Sequence, residues 1–308
     1  MGSDVAPSWG PSRLAAIEAE FFALRARPAD LPGAFLAAIT EATAGEVPED
    51  LHAAGVVLAN VVTRTTRPLL YHNPHHFAET TLAMGWMCRL ALNDGKLHPR
   101  NAALGVIAMV GHDYLHDGSP PDGGRLEAIA AEASLKVLQE GGIKLSDNDA
   151  AVVRAVILGT DPTLVKENAA RAAGKAPPGP LGAEVDLLVA LANEADVFAS
   201  FLPDMGPRQS LLLAREWSAG GHLRSMGVMG FANRLAFLRT YDRLTPVSRR
   251  MGVAELRARQ FAAFTCGGGL LDLGGTPEEG AAALDALEPE EARERFTACL
   301  RDMAPKGS

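Results

Sequence analysis

The sequence predicts an all-α fold, a compact multi-helix bundle, and three observations predict it. Alanine-rich stretches carry apolar residues at three- and four-residue spacing from one end to the other, the period of a helix with one buried face. Alternation of β-branched residues over four or more positions is nearly absent, so half-buried strands leave no signature. Cap residues punctuate the apolar stretches: Asn73 precedes Pro74, a proline at the first helical position, and Asn93-Asp94-Gly95 closes the same stretch.

In chain order, this periodicity predicts helices over about 12–26, 32–44, 49–64 and 74–93, the last bounded by the caps just named. His72 then lies just outside that helix and His76 in its first turn. A helix over about 99–115 follows, and its segment Gly105-Val106-Ile107-Ala108-Met109-Val110-Gly111 is too apolar for a surface helix. Helices over about 125–140 and 146–159 lead to Ala173-Gly174-Lys175-Ala176-Pro177-Pro178-Gly179-Pro180-Leu181, which cannot continue a helix and reads as an exposed loop or a subdomain joint. Next come helices over about 182–202, 207–218, 230–243 and 252–264. The stretch from Cys266 to Thr276 is glycine-rich but lacks the Gly-Lys-Ser/Thr ending of a phosphate-binding loop, and reads as a mobile connection to a final helix over about 288–302. There is no internal repeat. Residues 1–10 and 304–308 read as disordered or vector-derived ends, which leaves 11–303 as one all-α domain.

At 308 residues and 32.4 kDa, with 47% hydrophobic residues, the chain can bury a substantial core. Twenty-nine Lys and Arg are diluted among 37 Asp and Glu for a formal charge of −8, which excludes a broad face for a nucleic-acid polymer but not a small anionic ligand. Cys88, Cys266 and Cys299 are widely spaced with no Cys-x-x-Cys pair, so reduced intracellular thiols are expected. The most apolar segment, Ala102 to Val110, is too short to span a bilayer, and the N-terminus has no basic stretch followed by an apolar run. A soluble, cytoplasmic protein without a membrane partner is expected, and an oligomer is compatible with everything above.

Chemistry concentrates in three fragments: Tyr71-His72-Asn73-Pro74-His75-His76, His112-Asp113-Tyr114-Leu115-His116-Asp117-Gly118, and Ala195-Asp196, with five of the eight histidines in the first two. Imidazole and carboxylate hold divalent metals, and an adjacent His-Asp pair can offer one nitrogen and one bridging oxygen to neighbouring ions. A lone His-Asp dipeptide means little. Here, however, His112 and Asp113 emerge from an apolar helix, and Asp196 sits inside the apolar run Val185 to Phe198. Buried ionisable groups need partners. His112 and His116 lie four apart, on one face if the helix continues. Taken together, these features point to a metal-dependent hydrolase.

The order Tyr-His-Asn-x-x-His, His-Asp-x-x-His-x-Gly, Leu126-Glu127, Leu158-Gly159-Thr160-Asp161 and Ala195-Asp196 resembles the catalytic domain of the class I cyclic nucleotide phosphodiesterases, a branch of the HD-domain metal-dependent phosphohydrolases, over roughly residues 50–265. The resemblance implies that His76, His112, Asp113 and Asp196 bind a first metal, with Asp113 bridging to a second held mainly by water. Zinc with magnesium or manganese would be the pair, iron a further candidate. His72 would be the general acid, His116 and Glu127 would stand near the second metal and its water, and Asp161 would be an acid behind them. Tyr71 would border the substrate, and His75 matches no ligand and should be exposed. The implied reaction is hydrolysis of a 3′,5′-cyclic nucleotide to its 5′-monophosphate by a hydroxide shared between two ions.

Two departures stand out. The family's purine-reading glutamine, two residues before a Gly-Phe pair, is Val228 here, which offers no side-chain hydrogen bond; Phe231 could still clamp a planar base or be plain core. Around the last ligand, Asn193-Glu194-Ala195-Asp196-Val197-Phe198-Ala199-Ser200 replaces the usual His-Cys-Ala-Asp-Leu-Ser-Asn-Pro. These changes touch the identity of the nucleotide, not the hydrolysis. Another phosphodiester or nucleotide as substrate, or a catalytically silent nucleotide sensor, are the alternative expectations.

Overall fold

The protein is described by a computed structural model that covers residue 9, residues 11–223 and residues 225–303. Among these residues every regular element is helical. In order, they are α1 (Pro11–Arg25), α2 (Leu31–Ala42), α3 (Glu49–Thr65), α4 (Pro74–Asn93), α5 (Pro99–Gly111), α6 (Arg125–Glu140), α7 (Asp147–Leu158), α8 (Val165–Ala172), α9 (Ala183–Asp196), α10 (Phe198–Phe201), α11 (Met205–Ala219), α12 (Ser225–Val228), α13 (Phe231–Thr240), α14 (Pro246–Arg250), α15 (Val253–Gly267), α16 (Pro277–Asp285) and α17 (Pro289–Asp302). A 3₁₀ turn, Leu271–Leu273, joins α15 to α16.

Two helices form the centre. Every residue of α5 from Ala102 to Gly111 is buried, as the run of apolar side chains requires. It packs against α2, α3, α4, α7 and α9, and α2 lies along α4 as well. Glycine makes that last approach possible: a Cβ on Gly85 would fall 2.8 Å from the backbone of Ala38, closer than packed atoms come. No helix among the described residues is long and apolar enough to cross a membrane.

The structure corrects several expectations. The helix predicted to run to 115 ends at Gly111, and the chain then turns through Leu115, whose φ is +65°. The stretch 182–202 is broken at Val197 into α9 and α10. Four short helices, α8, α12, α14 and α16, were not anticipated; α14 and α16 begin with a threonine cap and a proline, local signals too brief to give a periodic pattern. The glycine-rich connection is a defined turn ending in a capping box at Thr276 and Glu279. Of the ends expected to be disordered, most lies outside the described residues, but Trp9 packs edge-on against Trp86 at 6.2 Å.

Cys266 and Cys299 form a disulfide that ties the end of α15 to α17, against the expectation of reduced thiols throughout. The α15–α16–α17 hairpin folds back on itself and joins two cysteines 33 residues apart, which a search for local Cys pairs cannot see. Cysteine spacing therefore gives no argument for a reducing compartment. Cys88 is buried and free, and burial raises its thiol pKa.

Candidate metal centre and substrate cavity

Three chain segments meet at one end of the central helices. Asn73 caps α4 by accepting from the backbone N–H of His75 (2.9 Å) and His76 (3.2 Å), while its amide donates back to the carbonyl of Leu70 at 2.8 Å. One side chain thus fixes the loop bearing His72 relative to the first turn bearing His76. His112 follows the last residue of α5, and its Nδ1 donates to the Met109 carbonyl at 2.8 Å. That bond sets the tautomer and leaves the Nε2 lone pair free. Asp196 arrives on the last residue of α9.

The four side chains His76, His112, Asp113 and Asp196 bring one donor atom each within 4.8 Å of one another. The Nε2 of His76 lies 3.3 Å from Asp113 and 3.1 Å from Asp196, and that of His112 lies 3.1 Å and 3.3 Å from the same two carboxylates. Both nitrogens are buried, yet neither has a partner in hydrogen-bond geometry. Nitrogens and oxygens crowd together without pointing at each other because all four aim at a common point. Ligands about 2.1 Å from one ion are separated by about 3.0 Å at right angles and about 3.4 Å in a tetrahedron, which brackets the observed spacings. The donor set fits a divalent metal.

Electrostatics agree. Burial works to lower the pKa of His76 and His112, but the carboxylates of Asp113 and Asp196 outweigh it and both rings are raised, His112 well above the ordinary value. Burial conversely works to raise Asp113 and Asp196, and the histidines win there too: Asp113 is held well below the usual range and Asp196 falls to about 2. A second group, His72, Asp113 and His116, shares Asp113 with the first. His116 stacks on His72 with ring centres 3.6 Å apart, and its Nδ1 accepts from the Gly118 N–H. Burial, then the neighbouring His72, lowers its pKa to about 4. Glu127 is pushed up to about 7 by burial and by the acids Asp161, Asp113 and Asp196.

Solved structures share this fold, two phosphodiesterase domains among them. The phosphodiesterase domain of Salpingoeca rosetta rhodopsin phosphodiesterase superposes with a TM-score of 0.51 and 13% identity, over 89% of this chain and 87% of that one. The phosphodiesterase domain of the RhoPDE fusion protein from the same choanoflagellate gives 0.51 and 15%, over 98% and 95%. At such identities the likeness establishes the all-α fold. No protein-family model matches the chain, and no curated protein matches it.

Beside the His–Asp cluster opens a cavity of about 670 Å³, bordered by Tyr71, His72, Asp113, His116, Glu127, Asp196 and Val228 among others, within the range of small-molecule sites. Tyr71 packs its ring 4.7 Å from those of His72 and His76. Asp161 stays behind this wall, accepting from the Thr163 N–H and hydroxyl at 2.8 Å. Phe231 does not border the cavity: it packs into the core, 5.2 Å from Phe296 and 6.4 Å from Phe264. His75, expected to be exposed, is only partly so, with its Nε2 2.8 Å from the Arg27 carbonyl.

Sequence reasoning missed Glu216. From α11 its buried carboxylate accepts from the backbone N–H of Tyr71 (2.7 Å) and His72 (3.1 Å), and its other oxygen lies 2.5 Å from His72 Nδ1. Burial would raise its pKa, but these bonds and His72 lower it. The available signal was a stripe: Gln209, Leu213 and Glu216 share one face of α11, so an acid falls where the helix faces inward. The unusual Asn193-Glu194 pair is also accounted for. Asn193 and Asn168 both donate to the Gly159 carbonyl, and Glu194 accepts from the Thr245 N–H and hydroxyl and from the Ser248 hydroxyl. The end of α9 is thereby bolted to α7 and α14, two residues before Asp196.

Proposed function

We propose that the protein is a metal-dependent phosphodiesterase of the class I, HD-type kind, with cyclic nucleotides as its leading substrates. The observation that carries this reading is the convergence of two unpartnered, buried imidazole nitrogens with two carboxylates at one end of the cavity. His76, His112, Asp113 and Asp196 would hold one ion, and Asp113 would share a second beside His116, a reading supported by its membership of both groups. Divalent ions bound there would supply Lewis acidity toward the phosphoryl oxygens and a nucleophile at neutral pH. Zinc with magnesium or manganese suits the donor set, as does iron.

The remaining steps belong to the chain. His72 has Nδ1 engaged by Glu216, so Nε2 is the atom that would protonate the departing alkoxide. Glu216, pinned by two backbone N–H groups, would hold the ring in place. Glu127, whose pKa is pushed up to about 7 by burial and the neighbouring acids, would exchange a proton with water at the reacting centre. Hydrolysis consumes one water and yields a phosphomonoester and an alcohol. Metal analysis of the purified protein, with phosphate-release assays on cyclic mononucleotides, linear dinucleotides and bis-p-nitrophenyl phosphate, tests the reading. Asp196→Ala should lose bound metal and lower turnover by orders of magnitude; full occupancy and full turnover in that variant would refute it.

A second reading, a phosphodiester other than a cyclic nucleotide, is favoured by the cavity wall, where Val228 offers no hydrogen bond and Arg234 brings a positive charge.

A further inference from the structure

Arg234 lies on the inward stripe of α13 with Phe231, Leu235 and Leu238. It is only 7% exposed, and it is the one Arg or Lys among the described residues that border the main cavity. Its hydrogen bonds go to neutral groups: Nη2 to Gln260 Oε1 at 2.6 Å and to the Ser200 carbonyl at 3.3 Å, and Nη1 to Ser210 Oγ at 3.4 Å. Nε has no partner. None of the described carboxylates pairs with it, and burial, uncompensated, lowers its pKa to about 10.

The guanidinium is held rather than loose. Gln260 is itself fixed by donating to the Phe201 carbonyl at 2.7 Å, and a Cβ on Gly206 would fall 2.5 Å from Nη2, so the glycine leaves the room the guanidinium fills. Arg234 also forms the partition to a small side pocket, which Arg293 borders from α17. The lining of the main cavity therefore carries both signs: Asp113, Asp196 and Glu127 are its acids, Arg234 on α13 is its cation, and Leu126, Leu213 and Phe237 are among its apolar groups.

A buried cation with only neutral partners is costly, because taking the charge out of water is repaid fully only by an opposite charge. The forked donors of a guanidinium match the oxygens of a phosphate or carboxylate. We propose that Arg234 binds a second oxyanion of the substrate, remote from the scissile diester, so that the substrates are phosphodiesters bearing an additional terminal phosphate or carboxylate. The word substrate rests on the phosphodiesterase reading; the anion site does not.

The test separates the two. Trp217 borders the cavity, so its fluorescence can report binding to metal-stripped protein of a diadenosine dinucleotide, its 5′-phosphorylated form and its 5′-succinylated form. The wild type should bind at least one acidic form at least about thirtyfold tighter than the plain dinucleotide, the scale of a desolvated charge pair. A preference for the phosphate or for the carboxylate names the source. Arg234→Gln should bring that ratio to near one, and Arg234→Lys, which keeps the charge without the fork, should retain part of it. On metal-loaded enzyme, kcat/KM for the preferred acidic dinucleotide should fall at least about tenfold more in Arg234→Gln than kcat/KM for bis-p-nitrophenyl phosphate. Equal binding of all three ligands by wild type, an undiminished ratio in Arg234→Gln, or equal kinetic losses on both substrates would each overturn the proposal and leave Arg234 as a strut. Charge-dependent binding without hydrolysis of any diester would instead overturn the phosphodiesterase reading and support the anion site.

Discussion

Stripping metal from the protein should cost more stability at pH 8.5 than at pH 6. In the metal-free chain, protons on His76 and His112 neutralise the crowding of Asp113 and Asp196, which is why both rings are raised above their ordinary pKa. A raised histidine contributes stability fully below its unfolded value, about 6.5, and loses it as pH rises through the folded value. The metal-free protein should therefore weaken on going from pH 6 toward alkaline conditions, as two carboxylates are left facing neutral imidazoles. A bound ion replaces those protons and reverses the trend, since its ligands must be deprotonated. Loading at a hundred times Kd adds about 2.7 kcal/mol, and for a chain of this size about 2 °C of Tm accompanies each kcal/mol, so the shift should be about 5 °C. Each tenfold gain in affinity adds about 1.4 kcal/mol, or about 3 °C. Thermal melts of chelated and zinc- or manganese-reloaded protein at the two pH values measure both quantities. A loaded-minus-stripped shift below about 1 °C throughout, or one larger at pH 6, would refute a shared cation at these four residues.

His72→Ala should keep its metal while slowing hydrolysis roughly 10²- to 10⁴-fold, with a smaller loss on p-nitrophenyl esters than on alkyl esters; equal losses on both count against His72 as proton donor. Glu216→Gln removes the carboxylate behind His72, and a hydrogen bond to a charged group is worth about 1.5–3 kcal/mol, so kcat should drop about 10- to 150-fold. Because the Glu216 pKa is lowered in the folded state, its contribution is present above about pH 4.5 and disappears as pH falls below it. The variant's melting temperature should accordingly respond less to acid than the wild type's, and an unchanged acid response would remove the ion pair from the account. Val228→Gln should alter the ratio of specificity constants for cyclic AMP and cyclic GMP more than it alters turnover of a base-free diester. In the wild type that ratio should stay below about a hundredfold, and a preference above roughly a thousandfold would mean another side chain reads the base.

The fold was legible because its signal is redundant: each long helix repeats its apolar spacing over several turns, and α3, α4 and α6 fall within a residue or so of the predicted bounds. Short helices such as α8 and α14 have no such redundancy and are fixed by tertiary contacts, Glu194 gripping the first turn of α14 being one. The cluster of His76, His112, Asp113 and Asp196 was legible too, since charged ligands emerging from apolar helices must meet something. His116 was singled out by the resemblance and by a spacing that puts two histidines on one face only if the helix continues, and that condition fails. The helix stops at Gly111, and the left-handed turn at Leu115 swings His116 onto His72 instead.

What stayed hidden depends on distance along the chain. Glu216 is 144 residues from His72; the inward stripe of α11 marks a buried acid but not its partner, and only the packing of α11 over the loop before α4 creates the pair. Arg234 was invisible for the same reason, because a cation beside apolar neighbours in one helix reads as a solvated edge until the facing helices close over it. The changed residues around Asp196 read in the sequence as a departure that leaves the metal chemistry intact, with no account of what they do instead. Their hydrogen bonds to Gly159, Thr245 and Ser248 are instead a different way of anchoring the end of α9. Asp196 still brings a donor atom within 4.8 Å of those of His76, His112 and Asp113, so an altered frame can keep that cluster together while the cavity wall carrying Val228 and Arg234 is free to differ.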